Sequence, residues 1–401
     1  MEKWIHLKEL KKYPEADEAA LQTALSACTA QVERQLPVFT DAFPGAAGEH
    51  NFYKPGPNTN WTTGFWTGEV WLAYEHEKEE EKRAQLLRAG NAQIMSFYER
   101  IKAHREVDHH DMGFLYSPSC VAGWKLTGSA CGRAAAILAA KQLITRFQPV
   151  GRFLQAWGEM SARDNYRFII DCLLNLPLLY WATDETGDPV YREIAEQHIH
   201  TAMAHVIRSD GSTWHTVFMN PETGVFDHGA TCQGYRDGSA WARGQAWGVY
   251  GTAMAYRYTK RTEYITYFRR VTAYFLAHLP EDLCPFWDLT FGNGDEAEEP
   301  RDSSSAAIAA CGLLEMSKYL KGDEAEACIR TARRLLKALI DGYEVKDPAI
   351  SNGQLLHGTY SKKSPYNTCT PEGVDACVIW GDYFFMEALT RALKPDWASY
   401  W

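Results

Sequence analysis

Two aspartates have the residue type and the surroundings that general acid–base chemistry needs. Asp171 interrupts an apolar run, Phe168-Ile169-Ile170-Asp171-Cys172-Leu173-Leu174. A carboxylate set among isoleucines and leucines is costly to ionise, so its pKa rises and it keeps its proton toward neutrality. Asp111 closes the segment Asp108-His109-His110-Asp111 and is followed by Met112-Gly113-Phe114. A protonated carboxyl working beside an ionised one is the pair commonly used to cleave sugar linkages. A blander reading of Asp171 stays open. Arg167, Asp171 and Asn175 recur every four residues and would form a polar stripe on one helix, with Arg167 paired internally to Asp171. His109, His110 and Asp111 also invite a metal, but neighbouring side chains diverge and no His-x-x-x-His accompanies them. Neither a metal nor a cofactor is expected.

A second cluster lies in Thr231-Cys232-Gln233-Gly234-Tyr235-Arg236 and Ser239-Ala240-Trp241-Ala242-Arg243-Gly244-Gln245-Ala246-Trp247. Arg243 and Trp247 are four apart and would share a helix face, where a guanidinium beside an indole suits a carboxylated sugar ring. Structural packing is the alternative there. No phosphate loop or Gly-x-Ser-x-Gly elbow is present.

The elements that must hold these residues are helical. Turns fall at Glu77–Glu81, Thr127-Gly128-Ser129, Thr186-Gly187-Asp188-Pro189, Thr259-Lys260-Arg261-Thr262 and Lys321-Gly322-Asp323. Gly and Pro stop or start helices at such points for backbone reasons. The spacing predicts about six stacked helical hairpins, hence an all-α, closed, double-layered toroid spanning 1–401 as a single domain. Asp111 and Asp171 are 60 positions apart, about one hairpin, which would set them at equivalent places in successive units. Small apolar helices such as Ala134–Ala140 suit the inner layer, and charged-faced ones such as Tyr191–Glu196 the outer. Two stretches break the pattern. Trp214–Pro221 with Gly224-Val225-Phe226 reads as a short hairpin, and Leu283–Arg301 as a long loop.

Composition narrows the partner. With 46% hydrophobic and 23% charged residues the chain is globular, and a formal net charge of −10 argues against nucleic acid or an anionic membrane surface. No apolar stretch reaches the length of a membrane span. The opening Met1–Lys8 has no apolar leader, and ten scattered cysteines without a Cys-x-x-Cys read as reduced thiols of a cytoplasmic protein. Fourteen Trp and 21 Tyr supply faces for sugar rings or, equally, for a large helical core. Oligomeric state is left open.

The chain resembles the unsaturated glucuronyl hydrolases, which include the unsaturated chondroitin disaccharide hydrolases. The likeness is carried by Trp61-Thr62-Thr63-Gly64-Phe65-Trp66-Thr67-Gly68, His109-His110-Asp111-Met112-Gly113-Phe114, Gln155-Ala156-Trp157-Gly158-Glu159, Ile169–Asn175, Ser239–Gly248, Pro300-Arg301-Asp302-Ser303-Ser304 and Ile379-Trp380-Gly381-Asp382-Tyr383. The resemblance implies an (α/α)6 barrel and a hydrolysis that does not attack the anomeric carbon. The substrate is a small unsaturated oligosaccharide left by a polysaccharide lyase, with glycosaminoglycan disaccharides the first expectation. Water is added across the C4–C5 double bond of its terminal unsaturated uronate, and the hemiketal then opens and releases the remaining sugar. Asp171 matches the acid/base and Asp111 the partner that orients the ring. Trp66, Trp157 and Trp247 would wall the sugar. His110, His215, Gln233 and Arg243, with Gly229 and Thr231, would bind the unsaturated ring, and Tyr360 would close the far side. Relatives that prefer sulfated disaccharides carry Ser-x-x-Ser-x-Lys; here Ser361 and Ser364 remain and Tyr366 replaces the lysine, leaving Lys362 or Lys363 as stand-ins. Alternatives kept open are an unsaturated rhamnogalacturonyl hydrolase, a sugar epimerase or isomerase using His110, His215 and His357, and a non-catalytic scaffold.

Overall fold

Each predicted turn separates two helices. The computed structural model describes residues 12–292 and 298–401. The Met1–Lys8 segment read for a leader, and residues 293–297 of the predicted long loop, lie outside them. Helix α1 is Glu18–Phe39, opened by the Asp17 carboxylate accepting from Ala20 N at 2.8 Å. Then come α2 (Thr63–His76), α3 (Glu80–Lys102), and α4 (Met112–Tyr116), which runs through a π-helical turn, Ser117–Val121, into α5 (Ala122–Thr127). Next are α6 (Ala130–Ile144), α7 (Cys172–Asn175), α8 (Pro177–Thr186) and α9 (Val190–Val206). Then follow α10 (Ala242–Thr259), α11 (Glu263–Ala277), α12 (Ser303–Ser317), α13 (Asp323–Gly342) and α14 (Ile379–Leu393). Gly128 and Gly187 end α5 and α8 in the left-handed conformation that glycine adopts without a steric penalty. Pro177 starts α8, where its missing N–H leaves no intrahelical bond unmade.

Sequence decides which layer a helix joins. In α2, α10, α12 and α14 nearly every position is buried on all sides, as expected of helices apolar around their whole circumference. α13 instead buries one stripe, Cys328, Thr331, Ala332, Leu335, Leu336 and Leu339, and leaves its charges in water. The inner ring runs α2, α4–α5, α7–α8, α10, α12, α14, and α14 packs back on α2 to close it. α1, α3, α6, α9, α11 and α13 surround it, giving the (α/α)6 barrel. The assignment of Ala134–Ala140 to the inner layer is corrected. α6 packs beside α3 in the outer layer with Ala134 and Lys141 exposed. Its small residues Ala135, Ala136, Ala139 and Ala140 let it approach the inner ring closely.

Short strands serve as connections. β1 (Phe43–Pro44) pairs with β2 (Pro55–Gly56), and β3 (Phe147–Gln148) with β4 (Phe153–Leu154). The predicted hairpin exists as β6 (Thr216–Met219) and β7 (Phe226–Ala230), and a third antiparallel strand, β5 (Arg167–Ile169), pairs with β6. All ten cysteines are free thiols. Among the described residues no helix is long and apolar enough to cross a membrane.

Candidate active site

The N-terminal ends of four inner helices meet around one cavity of about 440 Å³. Trp61 precedes α2 by two residues, Asp111 immediately precedes α4, Asp171 immediately precedes α7, and Arg243 is the second residue of α10; all four line the cavity. The two aspartates thus occupy equivalent positions in successive inner units. Helix N-termini carry partial positive charge, so a rim made of them favours an anionic group.

Asp171 is 6% exposed, and its pKa is pushed up to about 7. Burial is the main cause and the charge of Asp111 adds to it, while Arg243 and N–H donors, the Trp247 indole among them, pull the other way. The indole N–H and Asp171 Oδ1 do not reach full hydrogen-bond geometry, so that oxygen is left unsatisfied. Asp111 goes the opposite way. Burial would raise it, but His110, His109 and Asn175 hold it below the ordinary carboxylate range. His110 Nε2 lies 3.3 Å from Asp111 Oδ1, and His109 Nδ1 3.2 Å from Oδ2. Burial itself drives His110 toward its neutral form, while the charge of Asp111 opposes this. Asn175 ties the pair together. Its Nδ2 donates to Asp171 O at 3.2 Å and to Asp111 Oδ1 at 3.5 Å, and its Oδ1 accepts from Phe114 N at 2.8 Å. One carboxyl that holds its proton near neutrality and one that does not therefore share a cavity.

Around them stand neutral donors and aromatic walls. His215 is pushed down to about 3, mainly by burial and then by Arg243. Its Nδ1 accepts from Cys232 N at 2.9 Å, which puts the ring proton on the unpartnered Nε2. Arg243 donates to the carbonyls of Thr359 (2.7 Å) and Tyr360 (2.8 Å), and its guanidinium lies 4.4 Å from the Trp241 ring and 4.6 Å from Trp380. Gln233 Nε2 donates to Tyr360 O at 3.0 Å. Trp61 Nε1 donates to Tyr360 Oη at 2.9 Å. Trp157, 36% exposed, is held from behind by the Arg167 guanidinium at 4.7 Å. His110, Trp157, His215, Gln233, Arg243, Tyr360 and Ser361 all line the cavity with the two aspartates.

Several expectations are corrected. Trp66 is 3% exposed, and its indole N–H donates to Phe39 O at 2.9 Å, so it packs in the core outside the cavity lining. Trp247 is fully buried between Phe114 and Phe384, at 5.2 and 5.4 Å, and lies under Asp171 instead of forming a wall. Its partnership with Arg243 is absent, since that guanidinium stacks on Trp241 and Trp380. Gly229 and Thr231 stay outside the lining. A Cβ at Gly229 would meet Trp214 at 2.2 Å, and Thr231 Oγ1 accepts from Gly234 N at 2.8 Å to shape the loop that delivers Cys232 and Gln233. Ser364 is likewise a loop-former, its hydroxyl donating to Tyr235 O at 2.5 Å and accepting from Tyr366 N and Asn367 N. Lys362 pairs with Glu299 at 2.6 Å and Lys363 bonds Asn367 O, so neither faces the cavity. Tyr366 is 61% exposed, edge-on to Tyr235. His357 pairs with Asp375 at 2.7 Å, away from His110 and His215. The polar helical stripe does not exist either, because Arg167 lies on β5 and Asp171 at the start of α7.

Sequence reasoning passed over Trp61, Ile169, Cys232 and, from the wall Thr368–Glu372, Thr368, Cys369, Thr370 and Glu372, all in the lining. Trp61 sits in the same Trp-rich segment as Trp66, and its position just ahead of α2 was the available signal. Thr368–Glu372 carries no motif. Among the described residues no three or more His, Cys, Asp or Glu side chains converge as a metal site.

The model of Glycosyl Hydrolase Family 88 matches residues 39–389. The chain is 46% identical to the unsaturated chondroitin disaccharide hydrolase of Streptococcus pyogenes serotype M1 over 380 residues, 94% of this chain and 92% of that protein. It superposes on the crystal structure of unsaturated glucuronyl hydrolase from Streptococcus agalactiae with a TM-score of 0.92 at 41% identity, covering 98% of this chain and 96% of that one. A variant of the Streptococcus agalactiae enzyme complexed with dGlcA-GalNAc6S superposes with a TM-score of 0.84 at 38% identity, covering 100% and 97%. A helical barrel with two unlike carboxyls at its rim is thus joined to a match across most of the sequence, and the chain belongs to glycosyl hydrolase family 88.

Proposed function

We propose that this protein hydrolyses unsaturated uronyl oligosaccharides of the kind polysaccharide lyases release, by hydrating the C4–C5 double bond of the terminal ring. Asp171 gives its proton to C4. The developing positive charge at C5, shared with the ring oxygen, is met by water, whose proton returns to the Asp171 carboxylate, so that the acid is regenerated. The C5 hemiketal opens to a ketone, and the hemiacetal left at C1 releases the remaining sugar. Asp111, held ionised, orients the ring and stabilises the positive charge, while His215 Nε2–H and Arg243 are the donors we assign to the uronate oxygens. One observation carries this reading: a buried carboxyl whose pKa stands near 7 beside one held low. The names of the relatives and the dGlcA-GalNAc6S complex support the substrate class.

Loss of the ultraviolet absorbance of the conjugated enol ether tests it. Wild-type protein should bleach an unsaturated disaccharide, and Asp171→Asn should slow this by about 10²–10⁴-fold. Because the acid must be protonated, kcat/KM should fall as pH rises through about 7. Persistent absorbance with wild-type protein across unsaturated disaccharides of different linkage would sink the proposal.

A further inference from the structure

The far wall of the cavity, Ser361 with Thr368–Glu372, differs in hydrogen-bonding character from the catalytic side. Ser361 N donates to Glu372 O at 3.0 Å and Glu372 N to Ser361 O at 2.9 Å, which fixes the two backbones together. The Ser361 hydroxyl donates to Thr370 O at 2.6 Å. Its proton is therefore turned into the wall, and its lone pairs are what it offers outward. Glu372 adds an exposed carboxylate to the lining; the Tyr360 phenol is raised mainly by its own burial, and the Glu372 charge adds to this. Glu372 is exposed at its surface, and the partial burial of its carboxyl raises its pKa.

The charges around the cavity are lopsided. Among the described residues Arg243 is the one guanidinium in the lining, against the carboxyls of Asp111 and Glu372, while Asp171 keeps its proton toward neutrality. The lysines nearest this wall in sequence, Lys362 and Lys363, are bonded to Glu299 and to Asn367 O. Asp171 is buried and Glu372 is exposed in the same lining, so Glu372 stands on the solvent side, toward which a ring reacting at the floor sends the rest of its oligosaccharide. An acceptor-rich, anionic wall welcomes hydroxyl groups and repels a second negative charge.

We propose that Glu372 is a specificity-determining residue, accepting hydrogen bonds from hydroxyls of the sugar to be released and excluding an anionic substituent on it, so that unsulfated disaccharides are the preferred substrates. This rests on the reading of the site given above. The test compares an unsaturated uronyl–N-acetylgalactosamine disaccharide with its 6-sulfated form, at low and high salt, for wild type, Glu372→Gln and Glu372→Lys. Wild type should favour the unsulfated compound in kcat/KM. Glu372→Gln should raise the sulfated-to-unsulfated ratio about tenfold and Glu372→Lys further, with the gain shrinking at high salt. A ratio moved by neither substitution, or a wild-type preference for the sulfated compound, overturns the proposal. The same ratio is read as binding affinity on an Asp171→Asn background with and without the Glu372 changes. Should wild type turn over neither compound, the hydrolase reading fails, while the binding ratio still decides the role of Glu372.

Discussion

Asp171 shows at the scale of one residue how function opposes stability. Its folded-state pKa of about 7 lies above the ordinary carboxyl value, so between roughly pH 4 and 7 the native state keeps a proton that the unfolded chain gives up. Stability from this group is present below pH 4 and lost as pH rises through 7. At most this amounts to about 4 kcal/mol, since one pKa unit is 1.36 kcal/mol. Asp171→Asn should therefore gain on wild type in thermal midpoint as pH goes from 4 to 8, with the two coinciding at the acid end; a constant difference across that range would contradict the assigned burial penalty. The two tryptophans of the first Trp-rich segment separate in the same spirit. Trp66→Ala should cost about 3–5 kcal/mol in denaturant unfolding, as expected for a large core side chain. Trp61→Ala should cost less stability and raise KM about tenfold through lost ring contact. If the two variants behave alike, the division between core and cavity is wrong. Asp171 stood out in the sequence because a carboxylate among apolar residues announces its own cost, while Asp111 rested on its 60-residue spacing from Asp171 and on the family likeness. Trp61 and Trp66 were not legible, since composition cannot say which way an indole faces.

Single elements show where local reading fails. The four-residue spacing of Arg167, Asp171 and Asn175 suggests one helix, yet pairing with β6 draws Arg167–Ile169 into a strand and α7 begins only after Asp171. Tertiary pairing overrode a short periodic signal. The alanine-rich α6 misled in a similar way, because small residues suit close approach in either layer. Helix ends were easier, since capping and the left-handed glycines act within a few residues. The approach of α4 to α7 depends on Gly113. A Cβ there would lie 2.3 Å from Asn175 Cα and 2.5 Å from Asn175 O, atoms of the backbone that cannot give way alone. Gly113→Ala should cost at least about 1–3 kcal/mol and, by displacing Asn175, loosen the link between Asp111 and Asp171. Thermal unfolding and turnover should both fall. Full activity in a well-folded variant would show that this close approach does not set the geometry.

For the molecule as a whole, the ring closes only when α14 meets α2, so the earliest and latest inner helices share one seam. We propose that 1–401 folds as one unit, and tryptophan fluorescence and circular dichroism should then report a single coincident transition; separated midpoints would point to independent halves. The helical hairpins, their approximate number, the costly carboxyl of Asp171 and the family likeness all follow from sequence alone, because turn chemistry, periodicity and the cost of a buried charge are local properties. Which aromatic rings reach the cavity, that Arg243 lies between Trp241 and Trp380, and that Thr368–Glu372 closes the far wall were decided by the tertiary structure. Those residues are brought together by chain closure across more than a hundred positions, and no local pattern encodes a contact of that kind.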